Sequence, residues 1–223
     1  MAVKVIDIQE IKEELVVFLR NQNIISVTNR GVTNTQDTGT FSSTSSYLIN
    51  RTNVKNIKSI TVASVVKSFG TDYSVDYYFN DSGTRKCKIT FVTAQTGSYS
   101  IDYDYGTDKI WPDFPRDDLS ISSYPRISVD VLSVSTTAFG IGGNEDISNI
   151  LFSVQIFAQS VVSMNSYTKT IRTKFLENRK SFYTLGYIQP TGIGPMIEDP
   201  AKRQEIMSQN LDFQSIINVE RIA

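Results

Sequence analysis

The sequence predicts an α+β fold, an antiparallel sheet with two helices packed on one face, plus an inserted small all-β meander or sandwich module. Three observations predict it. Ile127, Val129 and Val131 alternate with Ser128 and Asp130, and Ile150, Phe152, Val154 and Ile156 alternate with Ser153 and Gln155. That period of two gives each strand of an antiparallel ribbon one apolar and one polar face. From Ser163 onward Met164, Tyr167, Ile171 and Phe175 fall three or four apart, the stripe of an amphipathic helix. Between Tyr47 and Tyr105 the patterning is purely that of strands and turns. A ribbon with one helix behind it cannot bury both faces, so the two ends of the chain must supply the rest of the core.

Taken in order, Asp7 caps the first helix, with Glu10 at the third helical position in a capping-box-like arrangement. Ile8, Ile11, Leu15, Phe18 and Leu19 form its buried stripe, Glu10, Lys12, Glu13 and Glu14 face water, and Asn21–Asn23 end it. In Gly31–Ser46 every residue but Val32 and Phe41 is Thr, Ser, Asn, Gln, Asp or Gly. The segment reads as an extended linker, either a surface loop or an arm ordered by a neighbouring subunit.

Next, Ile60, Val62 and Val66 mark one strand, and Tyr73, Val75, Tyr77 and Phe79 a second, entered through Gly70-Thr71-Asp72. Asn80-Asp81-Ser82-Gly83 turns into Cys87, Ile89 and Phe91, and Gln95-Thr96-Gly97 turns again into Tyr99, Ile101, Tyr103 and Tyr105. Trp111-Pro112-Asp113-Phe114-Pro115 ends this meander stiffly. Ser133–Ser148, with Gly140, Gly142 and Gly143, is too long for a tight turn and reads as the mobile tip of the central ribbon. After the second helix, Tyr183–Glu198 reads as a Gly/Pro-punctuated loop and Glu198–Gln204 as a helical turn. Leu211, Phe213, Ser215, Ile217 and Val219 then mark a closing strand. Residues 1–30 and 111–223 thus form the host domain, and 31–110 the β-rich insert with its Thr/Ser-rich linker.

Composition narrows the function classes. The 223 residues are 40% hydrophobic, enough for a core that buries roughly 70% of the unfolded surface. A formal net charge of -1 favours neither nucleic acid nor an anionic membrane. Cys87 is the single cysteine, so no intrachain disulfide forms, which fits a cytoplasmic or virion setting. No apolar run approaches ~20 residues, and Met1–Asp7 lacks a signal-peptide pattern; a soluble chain, not exported by the usual route, is expected. Histidine is absent, which removes the commonest general base, the commonest zinc ligand and every His-containing triad.

Candidate chemistry is sparse. Gly140-Ile141-Gly142-Gly143 and Gly192-Ile193-Gly194-Pro195 lack the Gly-Lys-Ser/Thr ending of a phosphate loop and open no helix. Asp102 and Asp104 lie two apart on one strand face, and Asp117-Asp118 and Glu145-Asp146 sit in loops. These are solvated acids or, on the sharper reading, metal or catalytic carboxylates. Tyr73, Tyr77, Tyr78, Tyr99, Tyr103 and Tyr105 cluster in the insert, as cross-strand packing, a subunit contact or a sugar-stacking surface. Lys169, Arg172, Lys174, Arg179 and Lys180 make the end of the second helix basic, complementing its dipole or docking an acidic neighbour. Cys87 takes an inward strand position as a small core residue. No residue is assigned a catalytic, cofactor-binding or metal role.

A helix, then "SYPRISVDVLS" at Ser123–Ser133, then "NILFSVQIFAQS" at Asn149–Ser160, a helix, a Gly/Pro loop and the closing "QNLDFQSIINVERI" form a succession. It resembles the tail-terminator (tail-completion) proteins of long-tailed bacteriophages. The family feature is a Tyr/Phe-Pro step into a strand, here Tyr124-Pro125, followed by a hairpin partner leading straight into a helix. The likeness covers the host domain; 31–110 departs from the minimal pattern and resembles β-rich decorations that phages insert. It implies a structural, non-enzymatic protein without cofactors. Copies would form a ring, usually a hexamer, that caps the tail tube protein and meets head-side connector or stopper proteins. DNA would be a partner only by passage through the channel, and no membrane would be involved. The location implied is the tail or neck of the virion, after synthesis in the host cytoplasm. The ribbon Ile127–Ile156 and the loop Tyr183–Asp199 are the parts such a ring would use. The alternatives are another head–tail neck, completion or baseplate protein, or a glycan-binding virion module.

Overall fold

A computed structural model of the protein describes residues 7–112, 124–139, 145–198 and 206–220. In chain order its elements are α1 (Ile8–Asn21), α2 (Val27–Arg30), β1 (Val32–Thr52), β2 (Val54–Val62), β3 (Val65–Lys67), β4 (Tyr73–Asp81) and β5 (Thr84–Gly106). There follow β6 (Ile110–Pro112), β7 (Arg126–Phe139), β8 (Glu145–Ala158), α3 (Val161–Glu177), β9 (Tyr187–Ile193), β10 (Ile197–Glu198) and β11 (Met207–Glu220). The chain is mostly β, with two sheets and a few helices, consistent with an α+β class. It divides into two compact units, Ile25–Asp108 and the chain on either side of it. Both boundaries fall earlier than the 31–110 limits drawn from the pattern, for a physical reason. Arg30 ends α2 and pairs with Asp108 inside the second unit, whereas Ile110 accepts a hydrogen bond from Arg20 and pairs with Ile127 in the first.

The first unit is built on a sheet of order β10-β11-β8-β7-β6, with β9 also on β11. β8 runs antiparallel between β7 and β11, so Val129, Val154 and Leu211 lie side by side and buried. The helices cover that face. Asp7 caps α1 by accepting from the N–H groups of Gln9 and Glu10, and Ile11, Leu15 and Leu19 are buried, each contributing about 1.5–3 kcal/mol. Ile8, expected in the stripe, is exposed because it starts the helix beyond the sheet's cover. Ser160 caps α3 through the Ser163 N–H, and Met164, Ile171 and Phe175 point inward. Phe175 sits among Phe18, Phe152, Phe182 and Phe213 at ring-centroid distances of 4.5–5.9 Å, an aromatic centre worth more than its buried area alone.

The second unit is one bent sheet. β5 is its long central strand, paired along its length with β1 and flanked on the other side by β4 in its first half and β2 in its second. Phe41, Ile49, Ile60, Tyr73, Ile89, Ile101 and Tyr103 fill the core enclosed by the bend. The β1–β5 register shifts between Phe41 and Ser46. There Gly97 takes φ 113°, a backbone open to glycine at no steric cost.

Several expectations are corrected. Gly31–Ser46 is no linker or loop: Val32 onward is the edge strand β1. Its Thr and Ser residues suit a strand with one solvated face, and only Val32, Asp37, Phe41 and Ile49 are buried along it. Gln95-Thr96-Gly97 lies within β5, beside register shifts in its pairing with β1, rather than forming a turn. Val66 does not continue the strand of Ile60 and Val62. Ala63 and Ser64, at φ 48° and 64°, fold β3 back on β2 in a tight hairpin.

The central ribbon is longer than expected, with β7 reaching Phe139 and β8 starting at Glu145. Only residues 140–144 separate them, and these lie outside the described residues. Tyr183–Glu198 is not wholly loop, since it contains β9 and β10. Of the helical turn expected at Glu198–Gln204, Glu198 belongs to β10 and residues 199–204 lie outside the described residues. Trp111 and Pro112 form β6, parallel to β7, and residues 113–115 again lie outside the described residues. Among the described residues no helix is long and apolar enough to cross a membrane.

Candidate assembly surface

The sheet of the first unit has two different margins. On one side β6 covers only Ile127–Val129 of β7, and among the described residues no strand lies beyond positions 132–139. Leu132 is 57% exposed there, and Ser133, Ser135, Thr136 and Thr137 face solvent. A β-bulge at Leu132, between the pairs of Val131 and Ser133, marks the start of this free stretch. Uncovered strand edges carry unpaired N–H and C=O groups and template further pairing.

On the other side β9 pairs with β11 from Tyr187↔Ile216 to Ile193↔Leu211; no described strand pairs with its outer edge, where the Ile188 N–H donates to the Arg179 carbonyl. Pro190 sits in it, as proline tolerates only edge strands and bulges, and the register shifts beside it, between Asp212 and Phe213. Gly186 makes the approach possible, because a Cβ there would overlap the Ile216 carbonyl oxygen. The turn before β9 is held from α1. Glu14 accepts from the N–H groups of Tyr183 and Thr184 and from the Thr184 hydroxyl. Arg179 donates to the Tyr187 hydroxyl and lies over its ring.

Between α3 and β9 runs a groove of about 350 Å³, lined by Thr168, Lys169, Arg172, Thr173 and Leu176 with Ile193. It continues past Arg172 along Pro190, Thr191 and Gly192. Two of the basic residues picked out in the sequence therefore line a groove, and the others do not. Lys174 is paired with Glu177 at 2.9 Å and Arg179 is engaged by Tyr187.

The acidic candidates are scattered. Asp104 is fully buried, 3.4 Å from Arg30 and 3.0 Å from Lys58; Arg30 also forks onto Asp108 through Nε and Nη2. Two cations thus balance two carboxylates in a structural clamp rather than a solvated face or a catalytic site. Asp102 accepts from Asn34 at 2.7 Å. Glu145 and Asp146 open β8 instead of lying in a loop, while Asp117 and Asp118 lie outside the described residues, as does the Gly140–Gly143 run. Gly192 lies in β9, and Gly194 donates its N–H to the Asn210 carbonyl. Among the described residues no three Cys, Asp or Glu side chains gather as a metal-ligand set.

Most of the tyrosines pack inward. Tyr103 and Tyr47 donate to the two oxygens of Asp37 at 2.9 and 3.1 Å, and Tyr99 donates to Tyr47. Tyr99 also stacks on Phe41 at 4.0 Å. Burial foremost, with Asp37 nearby, pushes the Tyr47 and Tyr103 hydroxyls well above the usual phenol range. Burial and then Asp72 push Tyr73 up to about 12. Tyr78 is 49% exposed, too isolated to form a stacking platform. Cys87 is buried in the core.

Sequence reasoning passed over Arg30, Lys58 and the strand β9, and it read Glu14 and Lys12 as facing water, whereas Glu14 holds the turn at Tyr183–Thr184 and Lys12 pairs with Asp130 at 2.7 Å. For Arg30 no local signal exists, since Asp104 and Asp108 are 74 and 78 positions away. The sequence matches no protein-family model and no curated protein.

Proposed function

We propose that the chain is a structural virion protein whose copies join into a closed ring, capping a tail tube and linking it to head-side neck proteins. On this reading residues 25–108 are a β-rich insertion carried by an α+β host. The observation that supports it most is the uncovered outer half of β7, positions 132–139, on a sheet otherwise well packed by α1 and α3. A stretch of free edge with an exposed Leu132 is a hazard to a monomer and an asset to an assembling one. An edge that meets a different surface of the next copy makes a heterologous contact, and such contacts form a ring when the rotation closes. The order helix, strand, strand, helix, strand in the host supports the same reading.

Size-exclusion chromatography with light scattering tests it. The expected mass is that of six chains of 25.0 kDa, with annular particles in electron micrographs. Leu132→Lys with Thr136→Lys is expected to give monomers of unchanged circular dichroism. A chain that stays monomeric both alone and with purified tail tubes overturns the reading.

A further inference from the structure

In a ring, the free edge of β7 must meet some surface of the next copy, and the strand margins of this chain differ in what they can offer. Exposed edges are normally guarded by charge, proline, bulges or brevity, because bare N–H and C=O groups template further pairing. Most edges here carry such a guard. β9 contains Pro190, and its Ile188 N–H already donates to the Arg179 carbonyl. β2 shifts register between Val54 and Asn56 and again between Ile57 and Ser59, carries Lys55 and Lys58, and gives its Ile57 N–H to the Tyr77 hydroxyl. β4 shifts register between Asp76 and Phe79, while β3, β6 and β10 are two or three residues long.

Two edges lack a guard. The outer side of β1 runs free over 33–40, in unbroken register with β5 from Val32↔Gly106 to Phe41↔Gly97. The outer side of β7 runs free over 133–139, in unbroken register with β8 from Ser133↔Leu151 to Phe139↔Glu145. Among the described residues no strand lies beyond either. Neither stretch contains lysine, arginine, glutamate or proline. Asp37, the one acid, is buried, with its oxygens held by Tyr47, Tyr103 and the Asn50 N–H. Thr33, Thr38 and Thr40 on the first edge and Ser133, Ser135 and Thr137 on the second are exposed, and Ser and Thr opposed across a strand pair hydrogen-bond favourably. The stretches also match in length, roughly 26 and 23 Å at the rise of a strand.

An edge that pairs with its like in a second copy satisfies one margin and leaves the other bare. Pairing of unlike edges satisfies both margins of every copy at once, and it is the heterologous contact that a closed ring requires. We propose, resting on the ring reading above, that strand 33–40 of one copy adds to strand 133–139 of the next. The β-rich unit is then the clasp of the assembly.

The test uses the full chain with added cysteines and a short bismaleimide, Cys87 being buried. Gln36→Cys chains co-expressed with Ser135→Cys chains are expected to give cross-linked pairs, and neither variant is expected to cross-link alone. The double variant is expected to give a ladder of multimers up to the ring. Gln36→Lys with Thr38→Lys sets guards on β1 and is expected to give monomers of unchanged circular dichroism. Cross-links within either single variant overturn the proposal, since like edges then meet. So does a ring-sized particle that the double variant fails to cross-link, or one that survives Gln36→Lys with Thr38→Lys; the ring then stands and only this contact falls. A chain that stays monomeric alone and with tail tubes overturns the ring itself, and this contact with it.

Discussion

The carboxylate of Glu14 in α1 accepts the Thr184 N–H at 2.7 Å and the Thr184 hydroxyl as well, joining residues 170 apart in sequence. With the Tyr183 N–H as a third donor, this one side chain fixes the turn that launches β9. Thr184 is buried, so removing the acceptor strands its N–H and hydroxyl away from water. Glu14→Ala is expected to lower unfolding free energy in urea by about 1–3 kcal/mol, and Glu14→Gln by less, since it keeps an acceptor but not its charge.

Arg30 is 1% exposed between Asp104 and Asp108. Arg30→Met takes away the guanidinium that the buried Asp104 and Asp108 share, and is expected to destabilise the second unit by about 3–5 kcal/mol. Hydrogen exchange of β1 and β5 amides measures it. Protection unchanged from wild type would show the clamp to be dispensable.

Alkaline pH should loosen the same unit. In the unfolded chain Tyr73 ionises near 10, whereas its folded hydroxyl holds its proton up to about 12. The unfolded state therefore sheds protons first. Stability is full below pH 10 and falls by about 1.4 kcal/mol per pH unit above it until Tyr73 also ionises in the fold. Tyr47 and Tyr103, raised in the same direction, add to the slope. Tyrosinate absorbance and circular dichroism recorded together should change in one transition, and Tyr47→Phe should shallow it.

Gly186→Ala is expected to push β9 off β11, because the new methyl overlaps the Ile216 carbonyl. Rapid exchange of the β9 amides that face β11, with β8 protection retained, is the expected signature.

Where burial was one-sided and regular, the residues spoke for themselves. β7, β8 and β11 carry strict alternation because one face meets the helices, and α3 announces itself when the period changes from Ser163 onward. β1 stayed hidden because its inward positions include Asp37, whose polarity is satisfied by Tyr47, Tyr103 and the Asn50 N–H, contacts that no local pattern encodes. β9 was masked by Pro190 and Gly192, breakers tolerated only because it is an edge. At the groove, the basic stripe of Lys169 and Arg172 was legible as helix periodicity. Its neighbour across the groove was not, since that depends on how a distant strand docks.

The guanidinium that grips Asp108 from Arg30 also brings the incoming and outgoing ends of Ile25–Asp108 to a single point. On the proposed reading of 25–108 as an insertion, a span whose two stems meet in this way would behave as an interchangeable cassette. It can lengthen, shrink or be replaced by a short bridge without asking the flanking chain to change its path. The two halves of the molecule are thereby free to diversify at different tempos.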